Sequence, residues 1–481
     1  MKDKFRYIPK KDRKKILLLS DDIRMHSGVA TMSREIVMNT AHHFNWYQLG
    51  AALDHPEKGK IFDLNDDLNK RLNLTDADVK VEPCTGYGDP DKIRALLAQE
   101  QPDAIFIFTD PRYWIWLFEM EREVRSKIPI FWLNIWDQYP APLYNEVYYD
   151  SVDCLMAISK QTKNINEIVL GEKANSKTIE YVPHGIDDQA FFPIKDNHPS
   201  IENYKTFRKA LFNGKDIEYV VFFNSRNIQR KHPADTILAY KIFCDKIGKE
   251  KAAKCALVMK TEISSPHGTD LRAVKDALCD EDMNIYFNQE RLTPEQMNLL
   301  YNVADTTVLM SSNEGWGLAL TESMMTGTMF IGNVTGGMQD QMRFEDEDGK
   351  WMELSPDLPS NNRKTISKHG EWCLPVWPTN SAMMGSPLTP YIFDDRCSAE
   401  DAADRLVEAY NLGPEERSRR GQTGRDWAMS EESMMTARTM GNRVITVLDD
   451  AFEKFEPRPS FDLVKVESIK KRKVTHKLTG Y

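Results

Sequence analysis

The chain has 481 residues, 41% of them hydrophobic and 28% charged, with a formal net charge of −10. That length favours two domains of about 200 residues each, and the negative charge argues against a broadly basic nucleic-acid surface, although Lys465 to Lys477 is locally basic. No apolar run is long enough to span a bilayer and the leader MKDKFRYIPKKDRKK is too polar for a signal-peptide core, so a cytoplasmic location is expected.

After that leader, KKILLLSDD (14–22) has the continuous apolar run of a central parallel strand, and RMHSGVATMSREIVMNTA passes through Gly28 into an amphipathic helix. The pattern recurs at PDAIFIFTD (102–110), IPIFWLNIWD (128–137), VDCLMAIS (152–159) and TIEYVPHGID (178–187). A Pro- and Asn-containing stretch from Phe192 to Asn203 reads as a linker. A second set of strands follows in EYVVFFNSRN (218–227), CALVMKTE (255–262), MNIYFNQ (283–289), VADTTVLMSS (303–312) and TMFIGN (328–333). Such alternation predicts α/β architecture, with two Rossmann-like halves that bind ligands at the carboxyl ends of their strands. From Glu353 to Pro390 the rhythm breaks, which predicts an insertion loop that either binds an acceptor or covers a sheet edge. Ser398 and Glu400–Asp401 suit a helix start and Gly413 a helix stop. The expected division is 1–191, 192–430 with the 353–390 insertion, a crossover helix at 431–456 and a basic tail at 457–481. Seven scattered cysteines without a Cys-x-x-Cys pair read as reduced packing residues.

The most informative stretch is SSNEGWGLALTESMMTGTMFIGNVTGGMQD (311–340), which sets Glu314 and Glu322 around a Gly-Trp-Gly turn that opens a helix. Glu314 falls at the carboxyl end of a strand. Gly315 and Gly317 admit close approach of backbone N–H groups to a ligand, and the helix N-terminus beginning near Leu318 directs about half a positive charge at the same point. A diphosphate suits that position. For an isolated pair of glutamates the plainer alternative is a helix cap and a solvated helix residue.

Taken together, these residues resemble the retaining glycosyltransferases of the GT-B fold that carry an E-x7-E motif, often called family 4. The resemblance runs from Lys14 to about Phe455 and includes Ser27-Gly28, the VPHGID segment, Arg226 with Lys231, YNVADTTVLMSS and Gly336-Gly337. It implies two facing Rossmann-like domains with the nucleotide-sugar cleft between them and a C-terminal helix packing back on the first. It further implies that Arg226 and Lys231 bind the donor diphosphate, that Glu314 contacts the transferred sugar, and that Glu322 holds the ribose hydroxyls. Gly315, Trp316, Gly317 and Leu318 would line the donor, with Gly28 closing from the opposite side. The donor is expected to be a nucleoside-diphosphate sugar, UDP-linked as in most of the family, with no metal or other cofactor required. Asp76-Ala77-Asp78 and Asp346-Glu347-Asp348 match a metal-binding D-x-D pattern, but neither directly ends an apolar strand.

One departure stands out. Where the family commonly has a histidine, this chain has Trp136 followed by Asp137. A Trp side chain cannot accept a proton, so Asp137 is the candidate for that polar role, or for a contact with the sugar. His184 and His26 are weaker candidates, His184 reading as structural. For the acceptor, the first-domain helical segments are not markedly basic, which disfavours a lipid surface. TPYIFDDR, GPEERSRRG and PRYWIWLFE resemble predicted glycosyltransferases of large tailed bacteriophages, some of which modify hydroxymethylated pyrimidines in DNA; such an enzyme would work in the host cytoplasm. That reading makes Asp110, Trp114, Trp136 and Asp137 the candidate acceptor residues, with tryptophans stacking on an extruded base. Core packing is the alternative for both tryptophans, and helix capping for Asp110. A glycan or lipid-linked acceptor, a nucleotide-sugar epimerase and a non-catalytic sugar-binding protein are the competing readings.

Overall fold

The computed structural model describes residues 7–52, 57–355 and 361–459. The tail from residue 460 onward, where most of the expected basic segment falls, lies outside the described residues. Among those described, eight strands form a first sheet: β1 (Lys14–Asp21), β2 (Phe44–Ala52), β3 (Phe62–Asp63), β4 (Val79–Thr85), β5 (Ala104–Phe108), β6 (Ile130–Asn134), β7 (Cys154–Ala157) and β8 (Thr178–Tyr181). Their order is β3-β4-β2-β1-β5-β6-β7-β8, and all pairings are parallel except β3 with β4. Six more, β9 (Tyr219–Asn224), β10 (Cys255–Lys260), β11 (Ile285–Asn288), β12 (Thr306–Leu309), β13 (Met329–Asn333) and β14 (Cys373–Val376), form a second parallel sheet in the order β11-β10-β9-β12-β13-β14.

The apolar runs seen in the sequence are strands buried on both faces. In β1, Ile16 and Leu18 join a core cluster shared with Met32, Phe44 and Val444, while Leu17 and Leu19 join another built around Trp114, Trp132 and Ile165. Adjacent residues therefore serve opposite faces, as the period of a strand requires.

The chain returns to the first sheet at its end. The helix Ala437–Lys454 opens with a capping box on Thr436 and packs along the helix Gly28–Thr40. Ile186 N–H donates to Met435 O at 2.9 Å and Ala437 N–H to Ile186 O at 2.8 Å. Gly185 permits this crossing, because a Cβ there would lie 2.5 Å from Thr436 O. Farther along, Phe452 packs edge-on against Phe131.

Three expectations need correction. The segment 353–390 is not simply a loop: it contains β14, the edge strand of the second sheet, and much of a hairpin of β15 (Asn380–Ser386) with β16 (Thr389–Arg396). Pro375 disguised β14, yet an edge strand tolerates a missing N–H. The expected linker runs into a helix that starts at Ile201. The final helix starts at Ala437 rather than near Glu431, after Met434 adopts a left-handed backbone at φ 56°. Gly413, read as a stop, has φ 76° and also opens the next helix.

Gly441 brings the terminal helix against its neighbour, since a Cβ there would sit 2.5 Å from Asn39 Cβ. Gly441→Val should lower stability by about 1–3 kcal/mol through overpacking. A urea midpoint equal to that of the parent would contradict this docking.

Candidate active site

β9 and β12 are neighbours in the second sheet, so the loops leaving their carboxyl ends run side by side. Main-chain and side-chain bonds join them: Ser312 N–H donates to Arg230 O at 2.9 Å, and Arg230 Nη1 donates to Asn313 O at 2.7 Å. This register brings the Lys231 ammonium into direct contact with Glu314 Oε1 and leaves Arg230 Nη1 3.5 Å from Oε2. Burial works to raise the Glu314 carboxyl, but Lys231 and Arg230 outweigh it and hold the group below the ordinary carboxylate range. Burial lowers Lys231 to about 8 against the pull of Glu314. The pair is ionised at neutral pH.

A two-glycine turn seats the motif loop. Gly336 has φ 54°, a Cβ on it would lie 2.2 Å from Glu314 O, and a Cβ on Gly337 would lie 2.2 Å from Gly315 O. Gly337 N–H donates to Glu314 O at 2.9 Å, so the backbones touch where side chains cannot fit.

The first sheet closes the other side. A Cβ on Gly28, the first residue of its helix, would be 3.5 Å from Leu318 Cδ1, at the start of the helix Leu318–Met325. The N-termini of two helices thus meet across the cleft, and their partial positive charges converge. A Cβ on Gly315 would lie 3.3 Å from Ile135 O, in the loop after β6. Two residues on, Asp137 feels Arg230, Glu314 and Lys231; burial raises its carboxyl to about 6. Gly317, at φ 93°, ends the turn ahead of the helix.

The hairpin spans both sheets. Phe393 N–H donates to Tyr139 O at 2.7 Å on the first-domain side, and Asn313 Nδ2 donates to Phe393 O at 2.9 Å on the other. Buried Asp395 anchors it, accepting from Thr335 Oγ1 at 2.8 Å and Ser381 Oγ at 2.5 Å, while its N–H donates to Ser312 O at 3.2 Å. A cavity of about 400 Å³ lies beside this arrangement, lined among others by Arg230, His232, Met384 and Arg396.

Of the residues singled out from the sequence, Gly28, Asp137, Lys231, Glu314, Gly315, Gly317 and Leu318 converge. Trp316 contributes backbone only: its side chain is buried, and Nε1 donates to Thr321 Oγ1 at 2.9 Å. Glu322 is half-buried one helical turn along, bonded to the Tyr301 hydroxyl, and burial pushes its carboxyl up to about 7. Arg226 is exposed at the start of the loop and acts electrostatically on Glu262, while Arg230, four residues later, is the second cation at Glu314. Three expectations are not met. Trp114 is completely buried in the first core and offers no stacking face. Trp136 is 5% exposed and its indole N–H donates to Gln138 O at 2.9 Å. Asp110 caps the turn Pro111–Tyr113 and forms a two-pronged bond with Arg112 at 2.8 and 2.7 Å. Arg230 and Asp395 were missed. The short 3-10 turn Gln229–Lys231 that aims Arg230 leaves no periodic signature, and Asp395 lies inside TPYIFDDR, a segment that stood out for its phage-like texture and not for this carboxylate.

In the D-x-D matches, Asp76 bonds to Tyr7 and Arg13, and Asp346 caps its own turn through the N–H groups of Asp348 and Lys350. Among the described residues no group of three or more His, Cys, Asp or Glu side chains is arranged to hold a metal, and no helix is long and apolar enough to cross a membrane.

Residues 205–351, which include Lys231, Glu314 and Glu322, match the family model of glycosyl transferases group 1. The chain is a glycosyltransferase with the GT-B fold. Its fold neighbours include HepE from Anabaena in complex with UDP and glucose, at 12% identity and a TM-score of 0.62, covering 91% of this chain and 100% of that one. Sucrose-phosphate synthase from Thermosynechococcus elongatus superposes with a TM-score of 0.63 at 13% identity, over 92% of this chain and 100% of its own. An E. coli structure described as trehalose-6-phosphate bound with UDP-2-fluoro glucose gives 0.58 at 12% identity, over 92% and 99%. No curated protein sequence matches the glycosyltransferase.

The glycine seat makes a sharp prediction for this enzyme. Gly337→Ala forces the motif loop to move, and a displacement near 1 Å costs on the order of 100-fold in turnover. Parent-like turnover by a folded Gly337→Ala enzyme would mean that the loop geometry is not limiting.

Proposed function

We propose that this glycosyltransferase moves a sugar, with retention of anomeric configuration, from a nucleoside-diphosphate sugar to a hydroxyl acceptor, the donor being a UDP-sugar. The observation that carries the reading is the pairing of Lys231 and Arg230 with Glu314 at the point where two helix N-termini face each other. A diphosphate entering there meets two cations and two sets of helix N–H groups, which offset the charge that develops as it departs. Arg226, exposed at the start of the same loop, is available to the outer phosphate.

In the reaction, the bond from the anomeric carbon to the phosphate oxygen breaks, and the acceptor hydroxyl oxygen bonds to that carbon on the same face. The acceptor proton passes to the departing phosphate oxygen. No protein nucleophile is needed. Glu314 holds the transferred sugar, Glu322 the ribose, and Asp137 takes the polar position on the first-domain side that Trp136 cannot fill.

For the acceptor, a hydroxymethylated pyrimidine of phage DNA is the finer reading. Its support is the phage-like sequence texture and an aromatic pair elsewhere than expected: Tyr113, 49% exposed, lies on Tyr87 with ring centroids 4.7 Å apart. The test is to incubate the protein with 5-hydroxymethylcytosine DNA and a panel of nucleotide sugars, then weigh the released nucleosides. A hexose or pentose increment in the α configuration from an α-linked donor supports both donor and acceptor; donor hydrolysis without an increment moves the search to glycan, lipid-linked or protein acceptors. An inverted product would refute retention.

Two further outcomes follow from the site's charges. Lys231→Ala should lower turnover on the order of 100-fold, as for other lost stabilisers of a developing anion. The raised Asp137 carboxyl is ionised above about pH 6 and protonated below it. Turnover should therefore fall as pH drops through 6, and Asp137→Asn should remove that limb of the profile.

A further inference from the structure

The carboxylate of Glu322 does not stand alone. Its Oε2 accepts from the Tyr301 hydroxyl, and that same hydroxyl accepts from Asn224 Nδ2 at 2.8 Å. Because the amide N–H occupies the oxygen of Tyr301, the hydroxyl hydrogen is committed to Glu322, and the bond has one direction. Three elements meet in this chain: the end of β9, the helix Pro294–Val303 and the helix Leu318–Met325. Tyr301 is fully buried, its ring edge-on to Phe222 at 4.9 Å and to Phe191 at 5.8 Å, whereas Glu322 is partly exposed. Long helical side chains lean toward the N-terminus of their helix, which here is the end that faces Gly28. The buried end of the chain is thus fixed and the open end points to the cleft. Tyr301 supplies the side-chain bond that this carboxylate accepts among the described residues.

We infer that Tyr301 is a positioning residue for donor recognition: it holds one oxygen of Glu322 so that the other meets the vicinal ribose hydroxyls of the nucleotide. This rests on the assignment of Glu322 to the ribose. A carboxylate has acceptor capacity on both oxygens, so a hydroxyl on Oε2 fixes the rotamer without blocking a diol. Burial also favours the neutral acid, and a bond donated to the ionised form opposes that tendency.

The test is calorimetric titration of the full chain with UDP and with its 2′,3′-dideoxy analogue. The parent should prefer UDP. Tyr301→Phe keeps the ring that fills the core and removes only the hydroxyl; it should weaken UDP about 10-fold, the size of a lost hydrogen bond to a charged group, and leave the dideoxy analogue unchanged. Equal weakening of both ligands would mean general loosening of the fold, and no weakening would mean that Glu322 needs no partner; either overturns the inference. Glu322→Gln separates the two ideas. If it keeps the preference for UDP, the ribose assignment falls and this inference with it; if it loses the preference while Tyr301→Phe keeps it, this inference alone falls. Should the parent not bind UDP, GDP and ADP are tried with their dideoxy analogues, and failure of all three overturns the donor reading on which the inference stands.

Discussion

Much of this molecule is arranged around one buried ion pair, Glu314 with Lys231. Taking two charges out of water is costly, and removing one partner of such a pair leaves the other uncompensated at about 3–5 kcal/mol. The pair is tolerable only with support on every side, and the surroundings supply it. β9 and β12 must be adjacent to bring the two loops together, Arg230 must reach Asn313 O to stand beside Glu314, and Gly336-Gly337 must lack side chains for the motif loop to seat.

The two sheets approach each other where residues are small. Gly28 faces Leu318 and Gly315 faces Ile135 O. On another side of the junction the contact is polar: Asp340 accepts from the Lys160 backbone N–H at 2.9 Å, and the Lys160 ammonium lies 3.7 Å over the Trp351 ring and donates to Met352 O at 3.0 Å. Close backbone approach on the ligand side and a cation held between an aromatic face and a carbonyl on the other give the cleft a defined width.

How much of this the sequence discloses depends on what each feature needs. Strands such as 14–21 and 130–134 announce themselves because burial on both faces demands an unbroken apolar run. Glu314 was legible because it follows such a run and stands among glycines at the start of a helix, whereas Lys231 entered through the family resemblance, since a basic turn by itself reads as solvated surface. β14 was not, since four residues with a proline at their centre look like a loop until a neighbouring strand is known. The tryptophans failed for a different reason: composition counts aromatic rings, while whether Trp114 faces in or out is decided by the helix and strand that cover it. Arg230 and Arg226 occupy the same short basic segment, and only the turn between them selects which guanidinium reaches Glu314.

The β15–β16 hairpin divides its own sequence into two kinds of position. Its grip on the two sheets uses main-chain groups at Phe393, Tyr139 and Ser312, together with the buried Asp395. Met383, Met384 and Leu388, toward the tip, are exposed. Substitution there leaves the main-chain bonds of the anchor in place. The tip, where Met384 lines the cavity beside the site, can therefore change in side-chain character while the anchor stays fixed, so the shape of that cavity can vary without disturbing how the hairpin is held.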